Sequence, residues 1–347
     1  MHLSVTAACS LRSARARHGA TALAALAAIP GRAGAHGLHA ASIAGAVPAV
    51  DAWSLCIVAL IAASALAYAL GAQRLALHRA WLRGPEASRR DHFLQGLWFA
   101  GGLFVMAAAL LGPLEDWTDR SFAAHMLQHE LLMLVAAPML VLGRPLARFA
   151  WSFPAAARRH MRARLAGLRV AIGWRVFTST AGACAIQTVG LFAWHVPAWF
   201  RAATVHPGLH ALQHSTFVVT ALCFWWTVLR PGPPRRVAAP ALASLFITTL
   251  TTGALGALLT FTTHVWYALP GFAPPWGMTL VDDQQLGGLL MWVPGGAVYL
   301  VAGLVVLVRT LRNPTSRSRA SVARATPATD ADAGLGGAAV LRARSGT

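Results

Sequence analysis

His125 and His129 stand four residues apart, on one face of any helix that carries them, and Glu130 follows at once. At a rise of about 1.5 Å per residue the two imidazoles are roughly 6 Å apart along the axis, close enough to share one ion. His210 and His214 repeat that spacing, and His195 closes a separate apolar run. Imidazole is a ligand for copper, zinc or iron, and the thioethers of Met126 and Met133 would favour cuprous copper. Glu130 has three possible roles: to ligate, to orient an imidazole from behind, or to relay a proton. The competing expectation is that these histidines hydrogen-bond between helices and only secure the fold.

The element that must position His125, His129 and Glu130 is SFAAHMLQHELLMLVAAPMLVLGRP, Ser121 to Pro145. It is long enough to cross a bilayer, where ionisable groups are costly and usually functional. The chain has 347 residues, of which 56% are hydrophobic and 12% charged. A soluble domain would carry about a quarter charged residues. Apolar runs of about 20 residues suit helices, which satisfy their own backbone groups in a bilayer. The expected fold is therefore an all-α polytopic bundle of seven mature transmembrane helices. They are placed at about 53–71, 93–111, 121–142, 176–194, 209–229, 239–261 and 286–308. Residues 1–35 read as a signal peptide, with early arginines, an apolar section and Ala33-Gly34-Ala35. The membrane domain covers 50–308, and 309–347 read as a disordered cytoplasmic tail. Pro138 is expected to bend its helix or release a carbonyl, and Pro294-Gly295-Gly296 to break or kink the last one.

Orientation follows from arginine, the sole basic residue type apart from histidine. Twenty-three arginines fall in the loops after spans one, three and five or in the tail, against Arg120 and Arg201 on the other side. The positive-inside rule then puts the amino terminus outside and the carboxyl terminus in the cytoplasm. On this topology His125, His129, His195, His206, His210, His214 and His264 gather at the outer surface, with Glu115, Asp116, Asp119, Glu130, Asp282 and Asp283. His206 and His264, in loops, carry less weight. A net charge of +18 could suggest nucleic acid, but its division among alternate loops excludes that and points to membrane lipid. An amphipathic interfacial stretch is expected near Arg158 to Arg169.

Other chemistries lack carriers. No phosphate-binding loop, nucleotide fingerprint or serine nucleophile elbow occurs, and His129-Glu130 fails as a zinc-protease motif because Met133 takes its last position. The cysteines at 9, 56, 184 and 223 have no paired spacing. Asp283 and Gln284 immediately precede the last span, where capping that helix is the simplest role for an acid. Met291 and Trp292 read as packing or interface residues. Trp194, Trp199, Trp266, Tyr267 and Trp276 suit an interfacial aromatic belt.

The order HMLQHELLMLVAAPMLVLGRP, WHVPAWF, the His210–His214 pair with a downstream FWW, and DQQLGGLLMWVPGG resembles the CtaG-type cytochrome c oxidase assembly factor family over about residues 50–308. The resemblance implies a non-enzymatic, multi-pass protein of the bacterial cytoplasmic (inner) membrane, linked to copper centre assembly in haem-copper oxidases. It draws attention to His125, His129, Trp194, His195, Pro197, His214, Asp283, Gln284, Met291, Trp292 and Pro294. At His210 the chain departs from many relatives. An unrelated single-span copper chaperone shares the CtaG name but uses paired cysteines, which are missing here.

The preferred function is an assembly protein holding or passing copper, as Cu(I), to an oxidase subunit at the outer face. The expected partners are oxidase subunits and a periplasmic copper chaperone. The metal set is His125, His129, His195, His210 and His214, supported by Glu130, Met126, Asp283, Gln284, Trp194 and Met291. Three alternatives remain: a haem- or metal-dependent membrane oxidoreductase, a transporter using Glu130, and a structural scaffold without metal.

Overall fold

The computed structural model describes residues 52–83, 89–167, 177–229, 234–268 and 271–312. The leader at 1–35, most of the tail and part of the interfacial stretch lie outside these residues. The described residues are mainly helical, with an irregular segment before the last helix. In chain order the helices are α1 (Ala52–Arg83), α2 (Arg89–Leu111), α3 (Pro113–Thr118), α4 (Phe122–Leu142), α5 (Pro145–Ser152) and α6 (Ala155–Gly167). After these come α7 (Thr180–Trp194), α8 (Pro197–Val205), α9 (Pro207–Leu229), α10 (Pro234–Phe261) and α11 (Leu280–Arg312).

Six of these are long and apolar enough to cross a membrane: α1, α2, α4, α9, α10 and α11. The protein is thus a polytopic all-α membrane bundle. The fourth expected span is a shorter apolar helix, Thr180–Trp194, of 15 residues where about 20 are needed to cross unaided. Other boundaries also differ. The first helix does not stop at residue 71 but continues through the basic segment to Arg83, and Arg89 and Arg90 open the second. Arginine is a good helix former, so a charged run can extend a helix past the hydrocarbon.

α4 is the central helix. Its membrane window is 67% buried, against 22% for α1 and for α11, because α2, α9 and α11 all pack on it. It is not a uniform α-helix: Leu131–Ala136 form a π turn between two α segments. In that register the carbonyl that would await the missing N–H of Pro138 is that of Met133, five residues back. The Trp225 indole N–H donates to that oxygen at 2.8 Å. The expected released carbonyl therefore exists and is satisfied from α9. At Pro294 the expectation was a break or a kink; α11 runs through it as one helix, so it is not broken there.

α10 and α11 meet backbone to backbone. A Cβ on Gly288 would lie 2.6 Å from the Gly256 carbonyl oxygen and 2.7 Å from the Thr260 nitrogen. Only glycine admits that approach, as in membrane bundles built on small residues. At the arginine-rich end, Arg148 is buried rather than interfacial. It donates to Gly143 O at 2.6 Å and Gln95 Oε1 at 2.8 Å and lies over the Tyr68 ring. The helix Ala155–Gly167 fits the expected amphipathic stretch in part: Arg159, Arg162 and Arg164 are exposed, but so is Met161.

The opposite end is closed by α3, α8 and the segment before α11. Ala273 N donates to Arg120 O at 3.0 Å, and Trp117 stacks on Trp276 at 6.2 Å. This closed end is where the histidines lie.

Candidate metal centre

Each histidine pair is set by local helix geometry. Ser121 caps α4, its hydroxyl accepting from Ala124 N at 3.2 Å, so His125 falls one turn into the helix and His129 two. Pro207 opens α9 and puts His210 in its first turn and His214 in its second. Packing α4 on α9 then brings the two pairs together. The His125 ring is 4.5 Å from His129 and 5.3 Å from His210, and His214 is 4.2 Å from His210 and 5.1 Å from His129.

Within this quartet, His125, His210 and His214 each offer a ring nitrogen, all within 4.8 Å of one another, and all three are buried. That arrangement can hold a metal ion. A buried imidazole nitrogen without a hydrogen bond is costly, by about 1–3 kcal/mol. Nε2 of His125, Nε2 of His214 and both ring nitrogens of His129 are buried and, among the described residues, have no hydrogen-bond partner. Nitrogens left unpaired in this way are free to ligate, so the donor set fits an ion. His210 belongs to the group.

The other expected site residues divide. His195, the C-cap of α7, stands outside the three-histidine group. Its Nδ1 bonds Leu191 O at 2.7 Å, and its Nε2 faces Met126 Sδ at 3.4 Å. Glu130 is buried but directed away from this group. Its Oε2 would sit 3.2 Å from a Cβ on Gly295 of α11, so direct ligation with the three histidines has no support in this packing. Met133 is buried in the core, and its recorded polar partner is the Trp225 indole through the backbone. His206 and His264 are exposed.

Asp283 caps a helix, but not its own. Its Oδ1 accepts from Ser121 Oγ at 2.6 Å and Ala123 N at 3.2 Å, and its Oδ2 accepts from Phe122 N at 2.6 Å. Asp282 takes the local role instead, accepting from Thr279 N and Oγ1. Gln284 accepts from Trp266 N at 2.7 Å and Tyr267 N at 3.3 Å and donates to His264 O at 3.0 Å. Tyr267 in turn donates its hydroxyl to His195 O at 2.6 Å. Two adjacent residues of α11 therefore fix both the start of the His125 helix and the backbone of His195.

Tyr267 was missed as a positioning residue. Read as part of an aromatic belt, it is buried, as is Trp194, while Trp199 and Trp276 are exposed. Gln128 was missed too. It is fully buried one turn beyond His125, and its amide donates to Ala109 O at 2.8 Å and to the Glu115 carboxylate. An amide inside an apolar run was the available signal. Met291 is core and Trp292 half exposed against Phe261, as packing residues should be.

A comparison with protein-family models matches residues 52–313 to the cytochrome c oxidase caa3 assembly factor family, about three quarters of the chain. No curated protein and no solved structure matches it.

Proposed function

Because the chain belongs to the cytochrome c oxidase caa3 assembly factor family, we propose that it serves oxidase maturation by holding copper at His125, His210 and His214. The observation that carries this reading is the buried three-imidazole group, in which Nε2 of His125 and Nε2 of His214 have no hydrogen-bond partner among the described residues. His129 adjoins the group as a further imidazole. Copper here is cargo. A nitrogen-rich site lined by Phe200 and Phe217 would hold Cu(I) shielded from water before release to an oxidase subunit.

The reading includes a topology. The short helix α7 completes seven spans in the bacterial cytoplasmic membrane, with the amino terminus outside and the carboxyl terminus inside. The arginine division supports this orientation. The histidine end would then face outward, where a periplasmic chaperone and the oxidase subunit can reach it. Reporter fusions at residues 88 and 206 should read cytoplasmic and external, respectively; the reverse would overturn the topology.

The deciding experiment compares a deletion strain, the wild type and His125→Ala/His129→Ala for protein abundance and oxidase copper. Normal abundance of the variant with copper-deficient oxidase is expected. Abundance falling in step with oxidase copper would favour a scaffold without metal. A Soret band in the purified protein would favour the haem alternative.

A further inference from the structure

His195 and Met126 present an unusual pairing. The Leu191 carbonyl can only accept, so the proton of His195 lies on Nδ1, which donates to it at 2.7 Å. In a neutral imidazole this leaves a lone pair on Nε2, and that nitrogen faces the Met126 sulfur at 3.4 Å. A thioether has no proton to give. Two Lewis bases therefore point at each other with no proton between them. A doubly protonated ring would remove the conflict only by burying a charge. Among the described residues no hydrogen bond or ion pair joins His195 to a carboxylate.

Both side chains are held in place. Met126 is 1% exposed and follows His125 on α4, and the Tyr267 hydroxyl bonds the His195 carbonyl. Aromatic rings lie close by: Phe217 is 6.4 Å from His195, Phe122 adjoins Met126 at Gly287 and stacks on Tyr267, and Phe200 meets both of these rings at an angle. With metal bonds of about 2.0 Å to nitrogen and about 2.3 Å to sulfur, donors this far apart subtend roughly 100° at one ion.

We propose that His195 Nε2 and Met126 Sδ form a second cation site, adjacent to the three-histidine group and selective for a soft monovalent ion such as Cu(I) or Ag(I). The thioether selects the soft ion, whereas the histidine group offers nitrogen alone. One turn of α4 supplies ligands to both sites, so an ion can move between them without leaving the protein. The inference deepens the copper reading and rests on it for the natural ion; the pairing of the two donors stands on its own geometry.

The full chain, purified in detergent and saturated with Cu(I) under reducing conditions, tests this by copper stoichiometry and copper-edge X-ray absorption. The wild type should bind two equivalents and show a sulfur neighbour at about 2.3 Å. Met126→Leu, close in volume, should lose one equivalent and the sulfur neighbour. His214→Ala should lose one equivalent and keep the sulfur. Selenomethionine labelling should replace that sulfur with a selenium neighbour in the otherwise unaltered wild type, whatever becomes of the leucine variant. A wild type without sulfur or selenium at copper, or a sulfur signal that survives Met126→Leu, overturns the second site and leaves the histidine site standing. Loss of both equivalents in His214→Ala means one joint site and overturns the division. A wild type that binds no copper overturns both.

Discussion

Phe122 donates its backbone N–H to Asp283 Oδ2 at 2.6 Å, a contact between residues 161 apart in the chain. With the bonds from Ser121 Oγ and Ala123 N, the carboxylate meets the positive end of the helix that carries His125. The first turn of α11 thus fixes where α4 begins, and with it the height of His125 and His129 against α9.

Replacing Asp283 with alanine leaves those donors buried without an acceptor, a loss of roughly 2 kcal/mol. The purified variant should melt at a lower temperature and retain less copper, with Asp283→Asn in between. An unchanged melting temperature would mean that the cap contributes nothing.

His129 offers a test with the opposite sign. Both its ring nitrogens are buried without a hydrogen-bond partner among the described residues. Removing them in His129→Leu sacrifices no hydrogen bond, so with chelator present the melting temperature should hold or rise while copper retention falls. A drop of several degrees would show that this imidazole secures the bundle.

Gly288→Ala should separate α10 from α11, because the new methyl meets the Gly256 carbonyl and the Thr260 nitrogen, both backbone atoms. A cost of about 1–3 kcal/mol is expected, read as lower thermal stability and lower yield. Gly296→Ala, where a Cβ meets nothing within 4 Å, is the control on the same helix. Equal losses at both positions would refute the close-packing argument.

Tyr267→Phe deletes the bond to the His195 carbonyl and should cost about 1 kcal/mol. Burial pushes the Tyr267 phenol well above its ordinary value, so its contribution is complete below about pH 10 and fades only above that. Melting curves of wild type and variant should stay parallel from pH 6 to 9. Convergence of the two within that range would contradict this assignment.

Much of the architecture was legible because its causes are local. Twenty apolar residues in a row specify a membrane helix whatever surrounds them, and a four-residue spacing specifies one helix face. α2, α4, α9 and α10 therefore lie close to where hydropathy puts them. The errors fell where local rules give out. Arg74 to Arg83 continue α1 because a polar sequence can remain helical beyond the hydrocarbon. The carbonyl released at Pro138 was legible, but the π turn and the tryptophan from another helix that accommodate it were not.

The sequence alone determined the class of protein, the histidine pairs and the end of the bundle they occupy, all consequences of spacing along single helices. Only the tertiary structure decided that His210 joins His125 and His214, that Glu130 turns toward Gly295, and that Asp283 caps α4 rather than α11. Which face of one helix meets which face of another depends on side-chain volumes and backbone approaches summed over the whole bundle. Residue spacing carries no record of that sum.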